Sequence, residues 1–294
     1  MDADQVARLR RFNRTVTQRI GALDEHFLDR RRPLGEARLL WEIGGDGAEL
    51  RARRARLSLD SGYLSRLLRS LERQGLVSAE AATEDGRVRR VHLTAKGRRE
   101  VALLDRRSNA LARSVLAPLS VAQQARLVAA ASEVERLMRA SAVEIAAEPA
   151  DGAAARRCLG AYFRELGQRF EAGFDPARSI SADAHELTPP AGVFLVARLA
   201  GEPIGCGALK VKARRIGEVK RMWVDAAARG LGIGRRLLER LEAEARQLGL
   251  RRLRLETNRR LVEAQALYRR SGYREVAPFN DEPYAHHWFE KTRL

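Results

Sequence analysis

The sequence predicts a multidomain chain, a mainly α domain followed by an α/β domain, and three observations carry that prediction. At 294 residues the chain is about twice as long as a common domain. Up to about residue 146 apolar residues recur at helical spacing almost throughout, whereas beyond about 155 helical and strand-like stretches alternate. Between the two lies Ala146 to Ala155 (AAEPADGAAA), a run of small residues interrupted by one proline and one glycine. The expected division is 1–147, a linker 148–155, and 156–294, with Pro149 setting a helix boundary near Glu148.

With 45% hydrophobic and 32% charged residues, each part has material for a core. No apolar run approaches the roughly 18 residues of a membrane helix, so no membrane partner is expected. The start, MDADQVARLR, lacks an apolar signal segment, and the cytoplasm is the expected location. Cys158 and Cys206 belong to no CxxC or Cys/His cluster, which argues against a disulfide framework and against a metal site; both read as small buried apolar residues. The formal charge of +17 points to a polyanionic partner. Residues 1–150 hold 28 basic and 20 acidic residues, and 151–294 hold 27 and 18. Residues 49–99 alone hold 13 and 6. A GC-rich coding bias would produce the same excess, since arginine outnumbers lysine 50 to 5; the charge permits nucleic-acid binding without establishing it.

In the first part, Val6, Leu9, Val16, Ile20, Leu23 and Phe27 form a heptad seam with Asn13 in one position. Ala95 to Leu116 and Val121 to Ile145 read as further amphipathic helices, separated by Pro118, with Ser120 and Gln123 as a capping box. This seam exceeds what one small module needs, so a homodimer is expected. A short helix, Glu49 to Arg56, precedes Leu59 to Val77 (LDSGYLSRLLRSLERQGLV), where Asp60 is the N-cap and Leu64, Leu67, Leu68 and Leu71 make a buried stripe. The other face offers Ser61, Tyr63, Ser65, Arg66 and Arg69 near the helix start, where a recognition helix meets base edges. A hairpin then pairs Val77-Ser78-Ala79 with Arg89 to Leu93 across Glu84-Asp85-Gly86-Arg87, placing Arg87, Arg89 and Arg90 at or near a basic tip that can reach a minor groove or backbone. This helix, the GLV step, the Asp85-x-Arg87 wing and Leu93-Thr94-Ala95-Lys96-Gly97 resemble the MarR family of winged helix-turn-helix regulators. The resemblance implies a dimer that reads a pseudo-palindromic operator in double-stranded DNA, with Asp85 and Arg87 as the characteristic pair of the wing.

In the second part a helix presents Leu159, Tyr162, Phe163, Leu166 and Phe170 on one face. Strands follow at Val193 to Leu199 and Ile204 to Val211, joined through Gly201-Glu202-Pro203, and at about Glu218 to Val224. Next come a helix from Gly234 to Leu248 capped by Gly249, a strand at Leu253 and Leu255, and a helix from about Val262 to Ser271. Val219 to Gly234 (VKRMWVDAAARGLGIG) joins strand to helix through glycines whose backbone can approach a ligand, with the helix dipole favouring a bound pyrophosphate and Arg229 and Arg235 adding charge. A Walker A loop would need GxxxxGK[ST], and a dinucleotide fingerprint would need glycine where Leu237 stands.

Arg229-Gly230-Leu231-Gly232-Ile233-Gly234 fits the R/Q-x-x-G-x-G/A signature of the GNAT acyltransferases, and Asn258 with Ala266-Leu267-Tyr268-Arg269-Arg270-Ser271-Gly272-Tyr273 is similar to their second motif. The resemblance implies a GNAT N-acetyltransferase that uses acetyl-CoA as co-substrate, without a metal, and an amine acceptor. It implies that Met222, Trp223 and Val224 pair with the pantetheine arm, that amides from Gly230 to Arg235, those of Leu231 and Ile233 included, hold the pyrophosphate, and that Tyr268 is the general acid for the departing thiolate. An amine with a lysine-like pKa of about 10.4 is uphill of its neutral form by on the order of 4–5 kcal/mol at pH 7, so a base is expected. Glu218 is the candidate, with His286 and His287 as alternatives. The acceptor would meet Phe163 to Ser179 and a rim of Phe279, Asn280, Asp281 and Tyr284. Small amines, amino sugars and protein lysines all remain open. So do three readings of the whole: a regulator that also acetylates, a regulator that only senses acetyl-CoA or a metabolite, and a transferase carried to DNA-bound proteins.

Overall fold

The computed structural model describes residues 2–22, 28, 32–44, 48–49, 59–81, 89–180, 182–212, 215–292 and 294. The chain divides into two compact units, Met1–Glu133 and Val134–Leu294. Among the described residues no helix is long and apolar enough to cross a membrane.

In the first unit, α1 (Ala3–Arg19) starts on the Asp2 carboxylate and buries no residue; Val6, Leu9, Phe12, Val16 and Ile20 stay exposed along it. Helices α2 (Leu34–Ile43) and α3 (Ser61–Arg73) pack with a three-stranded sheet of order β1 (Ala48–Glu49), β3 (Arg89–Leu93), β2 (Val77–Ala81). The expected N-cap holds, since Asp60 accepts from the Tyr63 amide at 2.8 Å. The leucine stripe of α3 is buried with Leu39, Leu40, Ile43, Val91 and Leu93. Glu49 was expected to open a helix; it lies in β1 opposite Arg90, and residues 50–58 lie outside the described residues. Helix α4 (Ala95–Leu116) begins on Thr94, whose hydroxyl accepts from the Gly97 amide at 3.0 Å and donates to the Gly75 carbonyl at 2.7 Å. Glu36 and Arg32 together join three helices: Arg32 Nη1 and Ser70 Oγ donate to Glu36 at 2.6 Å each, and Gln74 Nε2 donates at 3.1 Å, while Arg32 Nε donates to Glu100 on α4 at 3.2 Å. A buried carboxylate is tolerable only when so many donors replace water.

Helix α5 (Val121–Ser141) opens on the expected capping box, with Ser120 and Gln123 bonded reciprocally. It was expected to continue to Ile145, yet it stops at Ser141, and β4 (Val143–Ala147) pairs antiparallel with β5 (Gly192–Leu199) from Val143↔Leu199 to Ala147↔Leu195. Val143 and Ile145 are β-branched and alternate with Glu144, a strand pattern that the surrounding alanines disguise. Residues 148–155, expected as a linker, are bound to the second unit. The Glu148 amide donates to the Phe194 carbonyl at 3.0 Å, its carboxylate accepts two bonds from Arg198, and Ala155 is fully buried.

The second unit places seven described strands in the order β4-β5-β6-β7-β8-β10-β9, with β6 (Glu202–Lys212), β7 (Ile216–Val224), β8 (Arg252–Thr257), β9 (Arg274–Val276) and β10 (His287–Lys291). The β5–β6 turn is Ala200-Gly201, both at positive φ, so Pro203 lies inside β6 rather than in the turn. Alternation along β5 serves two layers. Val193, Leu195 and Ala197 face the layer of α7 (Ile233–Gln247), in a core that also includes residues of α8 (Val262–Arg270), while Phe194 and Val196 face α6 (Ala153–Arg169). Both cysteines are free and buried in the α6 layer.

Candidate active site

Strands β7 and β8 pair in parallel only from Ile216↔Arg252 to Glu218↔Arg254, although β7 runs on to Val224 and β8 to Thr257. Past Glu218 the two strands part. The β6–β7 register shifts between Cys206 and Ala208, and Arg221 takes φ +56 there, a left-handed conformation that costs a non-glycine residue about 1–3 kcal/mol. Cys206 Sγ donates to the Arg221 carbonyl at 3.2 Å and braces this bulge.

The parted strands border two concavities. A groove of about 490 Å³ is lined by Trp223, Val224, Gly230, Gly232, Arg235 and Leu267, among others. A cavity of about 90 Å³ is lined by Phe170, Phe174, Lys220, Glu256, Asn258 and Tyr284, among others. Met222 and Tyr268 border both. The expected catalytic tyrosine therefore stands where the two meet, buried on α8 with its ring 6.0 Å from that of Phe289. Burial pushes its hydroxyl far above the ordinary tyrosine range, so it stays protonated.

The glycine loop divides its labour by alternation. Leu231 and Ile233 turn into the core, whereas Gly230 (φ +80) and Gly232 (φ +73) adopt the left-handed conformation that lets the chain enter α7. The amides of Ile233, Gly234 and Arg235 form the first turn of that helix, where no carbonyl of the helix can accept from them, and the helix dipole points its positive end outward. A Cβ on Gly234 would come within 3.4 Å of Leu267, which is how closely α7 meets α8 there.

Arg229 is engaged, not free. Its Nη2 donates to both Glu165 oxygens at 2.6 Å, and Glu165 also accepts from Trp223 Nε1 at 2.9 Å and Arg169 Nη1 at 3.2 Å. Burial alone would raise the Glu165 carboxyl, but these donors outweigh it and hold it below its usual range. Glu165 was not anticipated; a lone Glu on an amphipathic helix carries no signal of its own. Arg235 is exposed beside Glu239 on its own helix. From α5, Arg136 Nη1 donates to the Gly230 carbonyl of the loop at 2.7 Å.

Glu218 is buried 3.6 Å from Lys220 Nζ, at the last paired position of β7, and is not among the residues lining either concavity. The expected base thus stands one residue from Val219, which does line the cavity. His287 pairs with Glu275 at 2.6 Å across β10 and β9, and His286 is exposed; neither lines the cavity. Asn258 lines the small cavity rather than the groove, with its amide spent on the Tyr284 carbonyl (2.7 Å) and the Arg260 amide (2.9 Å). Of the expected rim only Tyr284 lines the cavity: Phe279 lies under Arg254, Asn280 accepts from Trp288 Nε1 at 2.8 Å, and Asp281 is exposed. In the first unit Ser61, Ser65, Arg66 and Arg69 are exposed on α3. Tyr63 instead leans on α2, where its hydroxyl crowds Gly35, with Arg66 over its ring at 5.7 Å. Asp85 and Arg87 lie outside the described residues, as does the side chain of Arg89.

A winged-helix unit followed by a unit whose sheet parts beside a glycine-capped helix defines a class: a winged helix-turn-helix module joined to an α/β acyltransferase fold. Residues 35–97 match the profile of the winged helix DNA-binding domain, and residues 160–273 match that of the acetyltransferase (GNAT) family. The chain is similar to an IAA acetyltransferase of Azospirillum brasilense, 49% identical over 98 residues, which are 33% of this chain and 64% of that protein. It is also similar to an uncharacterized N-acetyltransferase of Bacillus subtilis, 35% identical over 109 residues, 36% of this chain and 72% of that one. A solved GNAT acetyltransferase of Staphylococcus aureus superposes with a TM-score of 0.45 at 20% identity, covering 51% of this chain and 98% of that chain. The chain spans less than two thirds of the length of the Azospirillum relative. The chain belongs to the GNAT acetyltransferase family.

Proposed function

We propose that the protein is a DNA-binding regulator that transfers acetyl from acetyl-CoA to an amine. The observation that carries this reading is the parting of β7 and β8 after Glu218, which opens a groove from the α7 N-terminus to Tyr268. The groove residues fit acetyl-CoA: amides of Gly230 to Arg235 for the pyrophosphate, the backbone of Met222, Trp223 and Val224 for the pantetheine arm. When bound, acetyl-CoA would supply an acetyl thioester. Tyr268, kept protonated by burial, would give its proton to the departing sulfur, and the surrounding apolar side chains would keep water from competing with the amine. Replacing Tyr268 with Phe should cut kcat for CoA release about 10²–10⁴-fold while acetyl-CoA still binds. Wild-type turnover retained by that variant would sink the assignment.

The first unit would bind double-stranded operator DNA as a homodimer in the cytoplasm, with Ser61, Ser65, Arg66 and Arg69 toward the groove and Asp85, Arg87 and Arg89 in the wing. A second reading, a regulator that senses acetyl-CoA without useful turnover, draws on the Arg136–Gly230 bond, which ties helix α5 to the loop proposed for the pyrophosphate. Under it, acetyl-CoA changes DNA affinity, DNA changes acetyl-CoA affinity by the same factor, and Arg136→Ala abolishes both effects. Equal DNA affinity with and without acetyl-CoA rejects it.

A further inference from the structure

We propose that the small cavity takes as acceptor a primary amine carried on a planar apolar body, and that Glu256 receives its ammonium. The inference rests on the proposed acetyl transfer and adds to it the class of acceptor and the residue that selects it.

The charge arrangement comes first. Glu218, Lys220 and Glu256 have side chains only 9%, 7% and 8% exposed. Lys220 Nζ donates to Glu256 Oε1 and stands 3.6 Å from Glu218 Oε2. Two buried carboxylates thus share one buried ammonium. The additional cation near Glu218, Lys212 at 3.8 Å, is itself 40% exposed. Glu256 Oε2 is buried and accepts no hydrogen bond. A carboxylate oxygen in that condition forfeits hydration without compensation, and a cationic donor from a ligand would restore it. Of the two carboxylates, only Glu256 lines the cavity. Of the other charged groups there, Glu282 accepts from Ser179 Oγ (3.0 Å) and the Ile180 amide (2.7 Å), and the Arg221 guanidinium, which keeps its charge, lies over the Phe163 ring at 5.0 Å.

The walls decide the rest of the acceptor. Phe174 packs on Tyr284 at 4.8 Å and edge-on to Phe170 at 5.9 Å, and Phe170 meets Tyr284 at 5.8 Å. Tyr284 is pinned, its hydroxyl accepting from the Asp175 amide at 3.0 Å. Such a wall offers ring faces and edges to a flat apolar group and holds an ammonium well.

The test is calorimetric titration of the full chain with phenethylamine, n-butylamine and glucosamine, paired with mass spectrometry of the products formed with acetyl-CoA. Phenethylamine should bind at least tenfold more tightly than either other amine. Glu256→Gln should weaken it about 10–100-fold, the range for a hydrogen bond to a charged group. Phe174→Ala, a change at a half-buried wall, should also weaken it and covers the case in which the Glu256 variant does not fold. Glucosamine binding as well as phenethylamine, or wild-type affinity in the folded variants, overturns the inference. Acetylation of glucosamine without phenethylamine binding does so too, while leaving acetyl transfer standing. Phenethylamine bound through Glu256 but never acetylated keeps the pocket and removes acetyl transfer.

Discussion

Three tyrosines share one electrostatic condition. Burial raises the hydroxyls of Tyr162, Tyr268 and Tyr273 above the ordinary value of 10, that of Tyr162 to about 12. The unfolded chain ionises these phenols from about pH 10, while the folded chain keeps its protons, so the unfolded state binds fewer protons and stability falls as pH rises. Below pH 10 the contribution is complete; between pH 10 and 12 it is lost, about 2–3 kcal/mol for Tyr162 alone. Melting curves of the wild type and of Tyr162→Phe from pH 8 to 11.5 should diverge only above pH 10, and parallel curves would refute the account. Tyr268 was legible in the sequence because a motif surrounds it. Glu165 and Glu256 were not, because each acquires its role from a partner 64 or 36 residues away, Arg229 or Lys220.

Among the elements, the start of α4 shows how a motif residue can be structural. A Cβ on Gly97 would collide with the Leu76 carbonyl oxygen, so glycine is required where the helix meets the end of the α3–β2 turn, not by any positive φ. Gly97→Ala should destabilise the first unit by about 2–3 kcal/mol, visible as a lower denaturation midpoint in urea. An unchanged midpoint would mean that the helix start relaxes freely. Helices with a clean apolar stripe, α3 and α7, were legible to within a residue or two, as were the interior strands β5 to β7. The error at 143–147 has a different cause: five residues with two β-branched side chains fit either period, and the free edge of β5 decided for strand.

Among the described residues, apolar side chains stay exposed along α1, and on α5 so do Leu127, Val128, Leu137 and Met138. A second copy is the proposed cover. Sedimentation of the wild type should give a dimer and Leu9→Arg a smaller species with weaker DNA binding, since paired half-sites need paired modules. A wild-type monomer that binds DNA with full affinity would exclude the arrangement. Periodicity, caps and the glycine loop, all properties of neighbours in sequence, were enough to specify α3, α7 with its N-terminus, and the strands β5 to β7. The end of the first part, the partner of Arg229 and the packing of Tyr63 on Gly35 depended on which elements lie side by side. Those are contacts between residues far apart in the chain, settled by burial in three dimensions, and local pattern carries no record of them.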